Sequence, residues 1–315
     1  MNPDDLKVTT RLIYREFERR GTPIEIIDIS SSLLRYADLR GNWHYLRSTL
    51  SDRENAQAYV IAKNKHLTML FCERLNVPHP LTYLSTDIDP QAVLDECGSV
   101  VVKPLDGAHG EGITVGVENE ADLRRAITRA KEVSNKVLLQ QRVSGDDYRV
   151  LFIGGEYAAA IRRSPAQVVG DGVSNVRTLI EKENTNPLRG SNYEKSLEYI
   201  SLDNAAYFLG AQLDEYIPAQ DEKYQVVGVA NLSSGGSAQD VTKIIPKSMI
   251  EHAGRLVREL RMGICGVDFM WSGNDEDEPL VIEINATPGI DMHDDPMFGE
   301  SQHTIPRFVE YLLSE

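Results

Sequence analysis

The sequence predicts an α+β protein made of two lobes that follow a small N-terminal α/β cap. Helical and strand patterns are mixed along its 315 residues without the strict strand–helix–strand alternation of a doubly wound sheet. Two pairs of strand patterns are separated by short turns or loops, as in antiparallel hairpins. Apolar residues make up 41% of the chain, which provides sizeable hydrophobic cores at this length.

The N-terminal part begins with a helical pattern from Leu6 to Arg20, which Gly21 ends. The next predicted elements are strands at 24–29 and 43–46 with a turn at Gly41-Asn42, a helix at 64–75, a strand at 100–102, a helix at 122–133 and a strand at 137–139.

The C-terminal part contains the two hairpins. Gly154-Gly155 separates strand patterns at 148–153 and 156–161, and glycine supplies the positive φ of tight turns. The second hairpin joins 266–271 to 280–284, and we interpret the acidic run 275–278 between them as a solvated loop tip rather than a cation site. The remaining predicted elements are helices at 176–182, 203–213, 247–261 and 305–313 and a strand at 224–230.

Composition and charge exclude several classes of protein. The formal net charge of −15 argues against a general nucleic-acid binder. No apolar run approaches the roughly 18 residues that span a bilayer, and the acidic N-terminus does not resemble a secretory signal. The 3 cysteines are isolated and odd in number, as in a reducing compartment, so we expect a cytoplasmic protein with no membrane partner. The sequence leaves open whether the protein forms a homo-oligomer.

The first candidate site is a glycine-rich loop after a buried strand. Lys103 follows the apolar run 100–102, and Gly107, Gly110 and Gly112 come before a second strand pattern at 114–117. Glycines let main-chain N–H groups approach an oxyanion, and a lysine adds a point charge for phosphate. The segment fits neither the P-loop nor the dinucleotide fingerprint. It therefore predicts a flap over phosphates, with an ordinary glycine-rich hairpin as the alternative.

The second candidate site is a set of polar residues inside apolar strands. Glu283 and Asn285 are two apart on a predicted strand, so both side chains face the same way, and Asp268 on the preceding strand can stand opposite them. Three oxygen donors on one face suit Mg²⁺. The alternative is a salt-bridged sheet face.

These two sites, in this order, resemble the ATP-grasp superfamily, and especially the ATP-grasp domain of cyanophycin synthetases and fused bacterial glutathione synthetases. The resemblance runs from near Lys65 to the C-terminus. The matching segments are Lys65-His66-Leu67-Thr68, Val102-Lys103-Pro104 with Gly107–Gly112, Gly145-Asp146-Asp147-Tyr148-Arg149, Gly170-Asp171-Gly172 with Leu179-Ile180, Asn186-Pro187-Leu188-Arg189-Gly190, Ala230-Asn231-Leu232-Ser233-Ser234-Gly235-Gly236 and 283–289.

The resemblance implies an ATP-grasp fold, in which two α+β lobes clamp ATP. On this basis we expect a cap at 1–60, a small lobe with the flap at 61–140, and a large lobe with the metal site and acceptor pocket at 141–315.

The resemblance also implies a set of ATP-binding residues and metal ligands. Two lysines grip the phosphates, the flap covers them, a hinge segment holds adenine, an acid receives the ribose hydroxyls, and three residues bind Mg²⁺ or, alternatively, Mn²⁺. The residues that match these roles are Lys65 and Lys103; Gly107, His109, Gly110 and Gly112; Gln140, Gln141 and Val143; Asp147; and Asp268, Glu283 and Asn285.

A third set is implied for catalysis and for the second substrate. In the family an arginine stabilises the acyl phosphate. Three arginines of this sequence could match it, and the resemblance does not indicate which one does. The remaining matches are an asparagine near the phosphates, main-chain donors for a substrate carboxylate, and residues that line the acceptor pocket. The residues concerned are Arg149, Arg162 or Arg163; Asn231; Ser233, Ser234 and Gly235; and Gly289 and His293.

The sequence departs from the family pattern in three ways. Gln140 stands where many relatives have Glu, and Glu111 stands in the flap where relatives often have Arg or Lys. As the third departure, we expect the chain to lack counterparts of the N-terminal domain and the Mur-ligase-like domain of cyanophycin synthetases. The third departure leads us to expect a small amide or dipeptide-like product rather than a polymer.

The resemblance thus implies an ATP-dependent ligase that joins a small-molecule acid to an amine through an acyl phosphate and releases ADP and phosphate. Two alternatives remain open, namely a phosphotransferase that acts on a hydroxyl and a non-catalytic nucleotide-binding module.

Overall fold

The computed structural model describes residues 1–105, 112–191, 195, 197–228 and 234–314. A 3₁₀ turn at Pro3–Asp5 precedes the first helix. The elements, in chain order, are α1 (Val8–Arg19), β1 (Ile24–Asp28), β2 (Leu33–Ala37), β3 (Trp43–Arg47), β4 (Leu50–Ser51), α2 (Ala56–Lys63), α3 (Lys65–Arg74), β5 (Thr82–Leu84), α4 (Pro90–Cys97), β6 (Val100–Pro104), β7 (Thr114–Val117), α5 (Glu120–Val133), β8 (Val137–Gln141), β9 (Asp146–Ile153), β10 (Glu156–Ser164), β11 (Gln167–Val169), α6 (Val176–Glu183), β12 (Arg189–Gly190), β13 (Leu197–Glu198), α7 (Leu202–Leu209), α8 (Gln212–Glu215), β14 (Lys223–Gln225), β15 (Ser237–Asp240), α9 (Lys247–Leu260), β16 (Ile264–Trp271), β17 (Leu280–Asn285), α10 (Asp291–Asp294) and α11 (Thr304–Leu313).

The mixture of helices and mainly antiparallel sheets confirms the α+β class. The chain forms two compact units. The first unit comprises Met1–Asp52, Ala159–Lys243 and Gly289–Glu315, and the second unit comprises Arg53–Ala158 and Ile244–Pro288. Each unit is assembled from separated stretches of sequence, whereas the three segments expected from the sequence are consecutive. Among the described residues, no helix is long and apolar enough to cross a bilayer.

The second unit contains two antiparallel sheets. One has the strand order β5-β8-β6-β7, and α4 and α5 cover its buried face. The strand β8 reads Val-Leu-Leu-Gln-Gln, and its first four residues are buried. In the other sheet, β16 lies between β9 and β17. Because Val267 and Phe269 on β16 are fully buried, Asp268 between them projects from the opposite face of the sheet.

Helices α2 and α3 of the second unit meet at Asn64. This residue has the extended backbone angles φ −110° and ψ 102°, so it interrupts the helical path. Its side-chain oxygen accepts hydrogen bonds from the main-chain N–H groups of His66 and Leu67, both at 3.1 Å. An N-cap of this kind satisfies amides that have no partner within the helix. It fixes Lys65 as the first residue of α3.

The first unit contains the predicted N-terminal cap as the sheet β1-β2-β3-β4 with helix α1. Phe17 of α1 and Tyr36 of β2 are both fully buried, with ring centroids 5.0 Å apart. A separate apolar cluster lies between residues 166 and 227, where Ile180 of α6 packs with Ile200 and Leu213. The end of β10 pairs with β15 in this unit.

Candidate active site

The first part of the candidate site is formed by β6 and β8 of the second unit. Lys103 at the end of β6 is only 4% exposed, and its Nζ donates a hydrogen bond of 2.8 Å to Oε1 of Gln140 on β8. The Gln140 Nε2 in turn donates to Oγ1 of Thr82 at 2.8 Å. The sequence predicted Gln140 as an adenine contact. Its side chain holds the lysine ammonium, a pairing that nothing in the sequence signalled, and its role toward adenine stays a prediction.

Burial of the Lys103 ammonium changes its acidity. Desolvation lowers the pKa of Lys103 to about 8, the positive charge of Lys65 lowers the pKa as well, and the carboxylate of Glu283 opposes both effects. The hydrogen-bond partner Gln140 is neutral, so it does not compensate the charge. A buried cation next to a neutral amide is stabilised when an anion approaches it.

The second part of the site lies on β9, β16 and β17. Asp268 on β16 stands directly opposite Glu283 on β17 and Arg149 on β9, which confirms the predicted arrangement of Asp268 and Glu283. Arg149 donates to both carboxylate oxygens of Asp268, from Nε at 2.7 Å and from Nη2 at 2.8 Å. Both residues are buried, with exposures of 9% and 2%. A bidentate pair of this kind orients the guanidinium and also balances its positive charge.

Asn285 connects the two carboxylates. Its Nδ2 donates to Oδ2 of Asp268 at 3.0 Å and to Oε1 of Glu283 at 3.3 Å. Neighbouring oxygens around octahedral Mg²⁺ are separated by about 3 Å, given Mg–O distances of about 2.1 Å. The spacing therefore fits the ion, provided that the amide of Asn285 turns its oxygen toward the carboxylates. Among the described residues, no group of three or more His, Cys, Asp or Glu side chains is placed to hold a metal.

Lys65 joins the two parts of the site. Its Nζ lies 3.9 Å from Oε2 of Glu283, and its side chain is 16% exposed. The N-cap at Asn64 sets the position from which this side chain extends. The same carboxylate raises the pKa of Lys103. Two lysines, two carboxylates, an amide and an arginine thus lie together within one compact unit.

The glycine-rich segment lies partly outside the described residues. Gly107, His109 and Gly110 belong to the stretch 106–111, of which no structure is described. The flanking strands β6 and β7 are antiparallel, with Val102 opposite Thr114, which confirms that the segment connects two strands. Gly112 has φ +70°, and a Cβ atom there would lie 3.0 Å from Cγ2 of Val133, so this position favours glycine.

The predicted adenine hinge comprises the last two residues of β8 and the stretch that follows it. Gln141 makes two hydrogen bonds to the main chain of Leu81. The Gln141 N–H donates to the Leu81 carbonyl at 2.8 Å, and the side-chain Oε1 of Gln141 accepts from the Leu81 N–H at 3.4 Å. Val143 is half-buried in the stretch between β8 and β9. Asp147 is half-buried on β9, opposite Met270 of β16. These positions belong to the second unit, as do the two lysines, and their roles toward adenine and ribose remain predictions.

The other two candidate arginines belong to the first unit. Arg162 and Arg163 are consecutive on β10, so their side chains project from opposite faces of the strand. Arg162 donates from Nη2 to Oε1 of Gln239 at 2.6 Å, whereas Arg163 is buried. Arg149 alone of the three belongs to the second unit.

The predicted substrate residues also belong to the first unit. Asn231 and Ser233 lie outside the described residues. Ser234 is buried, Gly235 has φ +86°, and the carbonyl of Gly235 accepts a hydrogen bond from Arg189 at 3.0 Å. The contact with Arg189 could not be predicted, since the sequence marks this arginine only as part of a matching segment.

The last two predicted residues, Gly289 and His293, follow the end of β17. Gly289 is half-buried, and His293 on α10 has no exposed surface. A side chain with no exposed surface contacts a substrate only if α10 shifts. The Asp294 side chain of α10 accepts a hydrogen bond from Oγ1 of Thr304, the first residue of α11, at 2.6 Å.

Comparison with known proteins gives a consistent family. The model of the ATP-grasp domain matches residues 62–289. Cyanophycin synthetase of Trichormus variabilis is 32% identical over 314 residues, covering 96% of this chain and 34% of the relative. The glutathione biosynthesis bifunctional protein GshAB of Desulfotalea psychrophila is 28% identical, covering 98% of this chain and 41% of that protein. The alignments therefore include the N-terminal cap, which the sequence-based resemblance did not.

Solved structures agree with these relatives. The bifunctional glutathione synthetase from Pasteurella multocida superposes with a TM-score of 0.69 at 26% identity, covering 98% of this chain and 44% of that one. D-Alanine–D-alanine ligase from Bacillus anthracis shares the fold, with a TM-score of 0.52 at 13% identity over 82% of this chain and 69% of that one. The chain spans about a third to two-fifths of the length of the curated relatives it matches. With the family model matched over residues 62–289, the chain belongs to the ATP-grasp family.

Proposed function

We propose that the chain is an ATP-dependent carboxylate–amine ligase. It forms an amide or peptide bond through an acyl phosphate and releases ADP and phosphate. The observation that carries the proposal is the contact of Lys65 with Glu283, at 3.9 Å, between a candidate phosphate-binding cation and a candidate metal ligand of the same unit. A module that only bound a nucleotide would not need the complete set.

Lys65 and Lys103 supply positive charge for the phosphates of ATP. Lys103 is buried against a neutral partner, and an approaching phosphate provides the anion that its ammonium lacks. Lys65 extends from the first turn of α3, whose main-chain N–H groups add to the positive potential. Both lysines thus favour the charge that develops on a transferred phosphoryl group.

Asp268, Glu283 and Asn285 would hold Mg²⁺, and Mn²⁺ suits the same oxygen donors. When bound, the ion neutralises charge on the phosphates during transfer. The hydrogen bonds at 3.0 and 3.3 Å between the three side chains show that they reach one another. Arg149 is our candidate for the arginine that stabilises the acyl phosphate, because its guanidinium contacts the Asp268 carboxylate directly.

The chemistry explains why such a set of charges is useful. A carboxylate reacts poorly with an amine because its leaving group is oxide. Transfer of the γ-phosphoryl group to the carboxylate oxygen breaks the bond to ADP and makes phosphate the leaving group. The amine then attacks the carbonyl carbon, loses a proton, and expels phosphate. Preorganised cations stabilise both steps without forming a covalent bond to the protein.

The relatives' names support amino acids or small peptides as substrates. They include cyanophycin synthetase and a glutathione biosynthesis protein, and D-alanine–D-alanine ligase shares the fold. The acid and the amine of this chain are assigned only as members of that class.

The test measures phosphate release with ATP, Mg²⁺ and pools of amino acids and short peptides, with products followed by mass. We expect equal amounts of ADP and phosphate, and a product whose mass is the sum of the masses of its two substrates less one water. The variant Asp268→Asn, prepared in parallel, controls for contaminating ATPases. ADP without phosphate, together with a phosphorylated product, would show a phosphotransferase. Tight ATP binding without turnover in any pool would show a binding module.

A further inference from the structure

Thr82 is the residue of β5 that stands directly opposite Gln140 of β8. Gln140 in turn lies opposite Val101 of β6, two residues before Lys103. Residues two apart on a strand share a face, so Thr82, Gln140 and Lys103 project from one face of the sheet β5-β8-β6-β7. Helices α4 and α5 cover the other face of this sheet. The three side chains therefore form a row across three neighbouring strands of the second unit.

A chain of hydrogen bonds runs along this row from the lysine to the main chain. The Lys103 Nζ donates to Oε1 of Gln140, and Nε2 of Gln140 donates to Oγ1 of Thr82, both at 2.8 Å. The hydroxyl of Thr82 donates to the carbonyl oxygen of Pro80 at 2.9 Å. Each link has one donor and one acceptor, and every hydrogen points toward Pro80.

The Pro80 carbonyl determines the direction of this chain. A carbonyl oxygen can only accept, so the Thr82 hydroxyl gives its single hydrogen to Pro80 and presents a lone pair to Gln140. Only the NH₂ end of the glutamine amide can bond to that lone pair, and its oxygen is thereby directed to Lys103. In the reversed amide, two donors would face each other at the ammonium, and two oxygens without a hydrogen between them would meet at Thr82.

Burial makes the direction of the amide important. Lys103 and Gln140 are each 4% exposed, so water does not readily replace a lost partner of either group. The terminal torsion of a glutamine side chain is broad, and an amide that is anchored at one end can swing. The Nε2 end of Gln140 is anchored by Thr82 and more weakly by the sulfur of Met69, which lies 3.8 Å away.

We propose that Thr82 is a positioning residue for ATP, which directs the amide oxygen of Gln140 to the Lys103 ammonium and so holds that ammonium in place for a phosphate. In the described part of the chain, one of the three N–H donors of the ammonium is used, by Gln140. A glutamine needs the second anchor because its two ends differ, whereas a glutamate would present an oxygen at both ends. The inference rests on the proposed role of Lys103 in binding ATP.

The experiment measures the Kd for ATP with Mg²⁺ by isothermal titration calorimetry at pH 7, in the full chain. Thr82→Val removes the hydroxyl with little change of shape and keeps a β-branched residue in the strand. We expect this change to raise the Kd about tenfold, because the amide loses its anchor and the ammonium loses a fixed acceptor. Thr82→Ser keeps the hydroxyl and should remain within about threefold of wild type.

A second background distinguishes positioning from a general loss of stability. In Gln140→Glu either carboxylate oxygen can accept from Lys103, so adding Thr82→Val should change the Kd less than about twofold. Thr128→Val is the matched control in the same unit. The Thr128 hydroxyl also donates to a main-chain carbonyl at 2.9 Å, that of Arg124, but it lies on the exposed side of α5. Its loss should leave the Kd unchanged.

The outcomes separate this role from the proposed function. A folded Thr82→Val protein with the wild-type Kd would overturn the positioning role, and so would an equal loss of affinity in the Gln140→Glu background; neither result affects the ligase proposal, which phosphate release tests. A wild-type protein that binds no ATP would overturn both. Circular dichroism melts show whether each variant is folded. If Thr82→Val is not folded, Thr82→Ala removes the same hydroxyl, and a wild-type Kd in that variant rejects the role.

Discussion

The buried ammonium of Lys103 makes ATP binding depend on pH in a range where few other side chains titrate. Its pKa is lowered to about 8 because the group is desolvated and Lys65 adds a like charge, effects that the Glu283 carboxylate only partly opposes. Phosphate at this position restores the charged form, so the pKa of Lys103 rises when ATP binds. Binding therefore takes up protons from solution, most strongly when the free protein is partly deprotonated.

The size of the effect follows from the pKa of about 8. At pH 8 half of the free lysines lack a proton, so binding should take up about half a proton per ATP. Between pH 7 and pH 9 the protonated fraction falls from about nine-tenths to about one-tenth, so the Kd for ATP should rise about tenfold. Isothermal titration calorimetry in two buffers of different ionisation enthalpy measures proton uptake and affinity together.

Gln140→Glu provides the matched variant. It places a carboxylate of the same shape beside the Lys103 Nζ, now 2.8 Å from the amide oxygen, and so raises the lysine pKa. The affinity of this variant should be nearly flat from pH 7 to pH 9. The reasoning is refuted if the wild-type protein takes up no proton at pH 8 and binds ATP equally well at both pH values, or if Lys103→Met binds as tightly as wild type.

The same shift affects the stability of the free protein. In the unfolded chain Lys103 has its ordinary pKa of 10.5, so between pH 8 and pH 10.5 the unfolded state binds more protons than the folded one. The contribution of this lysine to the free energy of unfolding therefore becomes more favourable as pH rises, by up to about 3 kcal/mol. Urea denaturation of wild type and Lys103→Met measures this effect: the free energy of unfolding of wild type relative to the variant should rise between pH 8 and pH 10.5 and should not change with pH below about pH 8.

Two further predictions concern other parts of the second unit. Asp268→Asn should abolish turnover and lower the free energy of unfolding by about 3 kcal/mol, because Arg149 loses its buried charged partner; turnover at the wild-type rate would contradict the metal assignment, and chemical denaturation checks the stability. Burial raises the pKa of Cys72 to about 12 and that of Cys265 further, so only half-buried Cys97 should react with Ellman's reagent in the native protein; reaction of more than one of the 3 thiols without denaturant would contradict this.

The sequence predicted best where one pattern determined one element. The amphipathic helix at 247–261 and the hairpin around Gly154-Gly155 appear as α9 and as β9 and β10. Their apolar spacing and turn residues leave little choice of conformation. The sequence predicted that Asp268 can stand opposite Glu283, and the two residues are paired in the structure. The register shifts between Asp268 and Phe269, an irregularity that the hairpin pattern did not indicate.

Other elements were missed or misjudged for local reasons. Helix α2 was not predicted, and Asn64 separates it from α3 by capping the second helix. The expected helix at 203–213 is interrupted at Gly210, which has φ +56° and ends α7. Helix α4 was not predicted either. Its N-cap Asp89 followed by Pro90 is a typical helix start, but the apolar pattern after it is too short to indicate a helix.

Within the site, the contacts that depend on tertiary packing could not be read from the sequence. The hydrogen bond from Lys103 to Gln140 joins residues 37 apart, and that from Arg149 to Asp268 joins residues 119 apart. No periodicity encodes such pairs, because each requires a particular strand order. The sequence identified the participants, and the sheet determined their partners.

The discontinuous second unit has a consequence for synthesis of the chain. Lys103 is made about 180 residues before Glu283, so at typical translation rates the lysine precedes the carboxylate by roughly 10 to 40 s. Until β16 and β17 emerge, the sheet that contains β6 and β8 has no Asp268 or Glu283 beside it. During synthesis the second unit is therefore incomplete for a time, with Lys103 exposed from the ribosome before Asp268 and Glu283 have been made.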